Sequence, residues 1–145
     1  MSTEELKAKI VHALDELYNQ GNLNVVDEEG AADVVFHTPP FPDRVGREAH
    51  KEYVAGLRAA YSDMHATFEE VIGEGNTTVA RWTLRGVHTG QSPTLPMAPT
   101  GEAVTIRACT VSHWVEGQAV EHWNFIDYFG VMQQLGVVPP RGKNA

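Results

Sequence analysis

The chain has 145 residues, 42% of them hydrophobic, and a formal net charge of −8. That length fits one domain with a real core, and that hydrophobic share excludes a disordered chain. An acidic balance with no Lys/Arg cluster argues against nucleic acid or an anionic membrane as a partner, and no apolar run is long enough to span a bilayer.

Cys109 is the only cysteine, so no internal disulfide forms, which fits a reducing compartment. The polar start MSTEELKAKI has no signal-peptide character, and a soluble cytoplasmic protein is expected. Ser2 with Glu5 reads as a capping box. Leu6, Ile10, Ala13, Leu14, Leu17 and Tyr18 then recur at helical spacing to Gln20, and Gly21 stops the helix. Asn22 to Gly30 reads as a short second helix or turn. Asp33 to His37 reads as a short strand that Pro39 and Pro40 end. Ala49, Tyr53, Leu57, Ala60 and Tyr61 mark a third helix between Gly46 and Tyr61.

A strand from His65 to Ile72 is followed by the turn Gly73 to Asn76 and a long strand from Thr77 to His88. On that strand Ala80, Trp82, Leu84, Gly86 and His88 share a face. Thr89 to Gly101, with Pro93, Pro96 and Pro99, is a long loop suited to a pocket rim or lid. Two strands then flank Glu116-Gly117. A three-residue loop from Val115 to Gly117 is expected, placing Thr110 opposite His122 and Ala108 opposite Asn124. One face then carries Ile106, Ala108, Thr110, Ser112, His122, Asn124, Ile126 and Tyr128; the other carries Arg107, Cys109, His113, Glu121, Trp123 and Asp127 among others. Phe129, Met132 and Leu135 stripe a last helix that ends at Gly136, and Pro139-Pro140 begin a tail. Early helices and a late antiparallel run predict a single α+β domain: a curved sheet wrapped around helices, with an open mouth suited to a pocket.

The segments ARWTLRGVHTG (Ala80 to Gly90), PTG (Pro99 to Gly101) and VEGQAVEHWNFIDYFGVMQQLG (Val115 to Gly136) together resemble the SnoaL-like polyketide cyclases, or ester cyclases, of the NTF2-like superfamily. The resemblance runs from about Glu4 to Pro139. It implies an NTF2-like α+β cone, a homodimer through the outer sheet face, and an intramolecular aldol condensation on a polyketide ester without metal or cofactor. It also implies an acid/base carboxylate in the last strand. Counted back from Gln134-Leu135-Gly136, that aspartate falls on Asn124, and its accompanying histidine on Thr110. An amide takes up no proton near neutral pH but hydrogen-bonds a carbonyl. The family's aromatic at the first helix end falls on Tyr18, a polar pocket residue on His37 or Thr38, and a widespread aspartate on Asp127.

The candidate catalytic residues are therefore Asn124, His122 and His37, the two histidines as replacement acid/base groups. Tyr18, Thr110, Trp82 and Asp127 are the ligand-binding candidates, with a cap or an Arg pair as the structural alternative for Asp127. The seven histidines show no metal-ligand spacing, and no metal or cofactor is expected. The expected function is cofactor-free acid/base chemistry on a small hydrophobic carbonyl or ester compound. Isomerisation or hydrolysis in the same cone, a non-catalytic ligand binder and an adaptor are the alternatives.

Overall fold

The computed structural model describes residues 1–139. Helix α1 (Thr3–Asp15) is capped by Ser2, whose Oγ accepts from the Glu5 N–H at 3.1 Å and satisfies an otherwise orphaned first-turn donor. The helix continues with π geometry over Glu16–Gln20, which holds buried Leu17 and Tyr18. It stops at Gly21, φ +71°, where any side chain would be strained.

Next come α2 (Val25–Glu29), β1 (Gly30–His37), β2 (Arg44–Val45), α3 (Arg47–Ala60), β3 (Tyr61–Glu74), β4 (Thr77–His88), β5 (Ala103–Val115), β6 (Gln118–Ile126) and α4 (Tyr128–Gln134). The strands form one six-stranded sheet, ordered β2-β1-β6-β5-β4-β3. β1 and β6 are parallel and the other neighbours antiparallel. Alternation along β4 and β5 turns Ala80, Trp82, Leu84, Ile106 and Ala108 inward, into one core with Leu6, Ile10 and Leu14 of α1. Breaks in register in β1, β3 and β6 bend the sheet around these helices. This is the expected α+β, NTF2-like cone. Among the described residues no helix is long and apolar enough to cross a membrane.

Several boundaries differ from the sequence reading. β1 starts at Gly30, not Asp33, and β3 starts at Tyr61 directly after α3, where Asp63 at φ +53° sits in a bulge. The hairpin loop is two residues, Glu116 (φ +50°) and Gly117 (φ +78°), with Val115 paired to Gln118. Two consecutive positive φ values give the turn twist that matches paired strands. A bulge at Val120 then sets Thr110 opposite Asn124 and Ala108 opposite Ile126, two residues along from the expected partners. Beyond the bulge the shift is even, so Glu121 to Ile126 keep their expected faces; next to the turn it is odd, and Ala119 rather than Gln118 pairs with Trp114 on the inner face. Tyr128 departs from the expected face because it begins α4. The proline tail lies outside the described residues from Pro140 onward.

After β4, the Gly90 N–H donates to the Ala60 carbonyl at 2.9 Å, and a Cβ at Gly90 would collide with the Ala59 carbonyl oxygen. That oxygen belongs to backbone and has little room to yield. Gly90→Ala is expected to cost about 1–3 kcal/mol of unfolding free energy by urea titration. A result within error of wild type would mean that this crossing is loose.

Candidate active site

Three inward-facing side chains of the sheet form a directed hydrogen-bond chain. Trp82 on β4 donates its indole N–H to Thr110 Oγ1 at 3.0 Å, and Thr110 donates to Asn124 Oδ1 at 2.9 Å. Indole nitrogen is donor-only, so the Thr110 oxygen must accept from it and the single hydroxyl hydrogen is left for Asn124. The Asn124 oxygen is thereby spent. Its Nδ2 makes no hydrogen bond among the described residues, and Asn124 lines an interior chamber. The amide nitrogen is therefore a free donor in the chamber wall.

Tyr18, Thr110, His122 and Asn124 line this first chamber, together with His50 of α3 and Glu29 at the end of α2. His122 is neutral: burial, then the charge of His113, lowers its pKa to about 4, and its Nδ1 lies 2.7 Å from Ser112 Oγ. His50 is also neutral: burial first, then Arg44 and His122, hold its pKa well below the ordinary histidine range. Arg44 donates to His50 Nδ1 at 3.3 Å, which assigns the ring proton to Nε2. Both imidazoles stack on Phe36, at centroid distances of 3.6 Å and 4.9 Å.

Glu29 is the one carboxylate in the chamber wall. Its Oε2 is buried without a hydrogen-bond partner, and Lys9 Nζ stands 3.6 Å away. Burial raises its pKa, partly countered by Lys9 and His12. The sequence reading missed both Glu29 and His50. His50 was legible in principle, since it precedes Tyr53 and Leu57 at helical spacing on one face of α3. No local pattern marks Glu29, because only the packing of α2 turns it inward.

A second chamber adjoins the first. Tyr18 belongs to both walls, and its ring packs on Trp82 at 4.9 Å as the partition. The free volumes are about 40 Å³ and 30 Å³, room for a few waters, so a larger ligand requires the partition or the loop from Thr89 to Gly101 to move. Among the described residues no group of three or more His, Cys, Asp or Glu side chains is arranged to hold a metal ion.

Two sequence candidates lie elsewhere. His37 does not face the chamber: on β1, Phe36 and Thr38 are buried inside, so alternation sends His37 to the outer face. There its Nδ1 lies 2.9 Å from Asp43 and its Nε2 2.7 Å from Glu121, over the Trp123 ring at 3.9 Å. Donation from both nitrogens requires the imidazolium. Asp127 is exposed and caps α4, accepting from the Gly130 N–H at 2.9 Å, so it too is outside both chambers. The cap was its structural alternative.

Two outcomes follow from these contacts. Thr110→Val leaves the Trp82 N–H and the Asn124 oxygen unpaired and is expected to cost about 1–3 kcal/mol in denaturant titration, while Thr110→Ser keeps the chain and most of the stability. At His37, burial opposes the charge but the Asp43 and Glu121 carboxylates outweigh it, and the pKa is raised. A raised folded-state pKa means stabilisation that is complete below the unfolded value and lost as pH rises through the folded one. The stability difference between wild type and His37→Gln should therefore be largest between about pH 5 and 6.5 and shrink above that, measured by denaturation across pH.

The family model for SnoaL-like polyketide cyclases matches residues 8–135. No curated protein sequence matches the chain. Among solved structures, a proposed SnoaL-like polyketide cyclase from Jannaschia sp. CCS1 is 23% identical, with TM-score 0.83 and 97% of each chain covered. AclR, a proposed hydroxylase from Streptomyces galilaeus, is 22% identical with TM-score 0.83, over 98% of this chain and 87% of that one. IdmH, a proposed polyketide cyclase from Streptomyces antibioticus, is 28% identical with TM-score 0.74, over 90% of this chain and 99% of that one. With nearly its whole length matched by the family model and its cone shared by these structures, the chain belongs to the SnoaL-like polyketide cyclase family.

Proposed function

We propose that the protein is a cofactor-free acid/base enzyme that removes a proton α to a carbonyl in a small hydrophobic ketone or ester. The observation that carries this reading is the meeting, in the wall of one apolar chamber, of the Glu29 carboxylate, whose Oε2 is buried without a hydrogen bond 3.6 Å from the Lys9 ammonium, and the free amide donor of Asn124. The Glu29 carboxylate takes the α-proton, the C–H electron pair forms the enolate double bond, and the charge moves to the carbonyl oxygen. Asn124 Nδ2–H donates to that oxygen. The enolate carbon is then reprotonated, or attacks a second carbonyl to close a ring. His122 and His50, held neutral, are poor proton acceptors and serve as hydrogen-bonding walls. A half-buried carboxylate with raised proton affinity is the better base.

Proton abstraction is readable without knowing the natural substrate. Protein in D2O with a panel of hydrophobic β-keto esters and aryl ketones is expected to exchange α-hydrogen for deuterium above the buffer rate, followed by NMR. Glu29→Gln should lower the exchange by about a hundredfold or more. The rate should rise with pH as the Glu29 carboxyl ionises, with a midpoint above the ordinary glutamate range. Panel members that bind without exchange would favour the second reading, a non-catalytic ligand binder. That reading draws on the neutral Trp82–Thr110–Asn124 chain, where the family resemblance expects a histidine and an aspartate.

We also propose a homodimer through the outer sheet face. Phe125 is 50% exposed there, beside Trp123 in a stacked pair. Sedimentation velocity is expected to show a dimer for wild type and a monomer for Phe125→Glu.

A further inference from the structure

The buried face of α3 reads His50, Val54, Leu57 and Ala60. His50 breaks that apolar stripe, yet it is only 5% exposed. A side chain that merely filled volume there would be apolar too, since a buried ring nitrogen left unpaired costs stability. His50 stacks on Phe36 with the planes 5° apart, which sets the plane of the imidazole. Arg44 sets the place of its hydrogen. A guanidinium has no lone pair to offer, so His50 Nδ1 accepts from Arg44 Nη2 and the hydrogen sits on Nε2, across the ring from Arg44. That N–H makes no hydrogen bond among the described residues, and it belongs to a side chain that lines the first chamber.

Arg44 is itself held in place. Its guanidinium lies 3.7 Å over the Tyr53 ring, and its Nη2 also donates to Thr38 Oγ1 at 3.2 Å. Its chain neighbour Asp43 turns the other way, to His37 on the outer face. Among the described residues no carboxylate comes within ion-pair distance of the guanidinium, and its Nε is buried without a partner. The charge is therefore not cancelled locally. It stands behind the imidazole and, with burial, keeps the ring from taking a second proton. This bears on Glu29 in the same wall. An imidazolium there would lower the proton affinity of the carboxylate, whereas a neutral ring donates a hydrogen bond without doing so.

We propose that His50 Nε2–H is a second donor to the substrate carbonyl, working with Asn124 Nδ2–H, and that Arg44 is the positioning residue that fixes this tautomer. The inference rests on the α-proton reading given above and adds to it a residue for the oxyanion. The donors come from different layers, helix α3 and strand β6, so the carbonyl oxygen is held between helix and sheet. Two donors at one oxygen stabilise the enolate more than the ketone, because the charge they face grows as the proton leaves.

The tautomer is read on the unaltered chain, which needs no variant to fold. In two-bond 1H–15N spectra, with the His50 signals assigned by their loss in His50→Phe, His50 is expected as a neutral ring with its hydrogen on Nε2. Arg44→Met is expected to give a mixture of the two tautomers. Acetophenone labelled with 13C at its carbonyl is the ligand probe. Bound to wild type, its carbonyl carbon is expected downfield of its position in His50→Phe, which keeps a stacked ring of similar size and removes the donor. In the α-proton exchange assay His50→Phe should lower kcat about a hundredfold with KM little changed, and Arg44→Met about tenfold. A His50 hydrogen on Nδ1, an imidazolium at neutral pH, no bound ketone, or a carbonyl signal that His50→Phe leaves in place overturns the proposal. A bound ketone that shows the His50-dependent shift but exchanges no α-hydrogen supports the donor pair and overturns the α-proton reading instead.

Discussion

A donor-only indole nitrogen, buried on the inner face of β4, sets the polarity of the pocket. Trp82 must donate, Thr110 must therefore accept from it, and the one remaining hydroxyl hydrogen goes to Asn124. The amide is left with its donors toward the chamber. The arrangement depends on the sheet register that seats Trp82 opposite Ala108 and Thr110 opposite Asn124. Packing and site chemistry are thus set by the same strand pairing.

That polarity decides which groups can carry charge. A donor at position 124 suits a carbonyl or enolate oxygen, so the proposed α-proton transfer needs its base elsewhere in the wall. The two imidazoles are disqualified by their surroundings: burial among Phe36, Trp114 and each other keeps them neutral and weakly basic. Glu29 has the opposite response to burial, since desolvation of an anion strengthens its hold on a proton. One apolar environment therefore moves the histidines away from base duty and the glutamate toward it.

The fold was largely legible because alternation and helical stripes are local. β4 was read with its correct ends, and the inner and outer faces of the final hairpin were correct from Glu121 to Ile126 although its pairing was offset. The offset came from Glu116 adopting a left-handed conformation more usual for glycine and from the bulge at Val120, neither of which composition reveals. The chamber walls were legible where they lie on those strands, at Trp82, Thr110, His122 and Asn124, and at the end of the first helical stripe, at Tyr18. His37 sits at a strand end before two prolines, where parity was hard to assign, and its neighbours Phe36 and Thr38 took the interior. Glu29 and His50 depend on how α2 and α3 pack, which no single stretch of sequence encodes.

The central claim is that Glu29 is the chamber's proton acceptor. A titration of glutamate side-chain carboxyl carbons by NMR, with the Glu29 signal assigned by its loss in Glu29→Gln, tests it most directly. The account predicts that Glu29 titrates above the other glutamates, and moves higher still in Lys9→Met as the opposing ammonium is removed. A Glu29 midpoint at or below the ordinary glutamate value would contradict it.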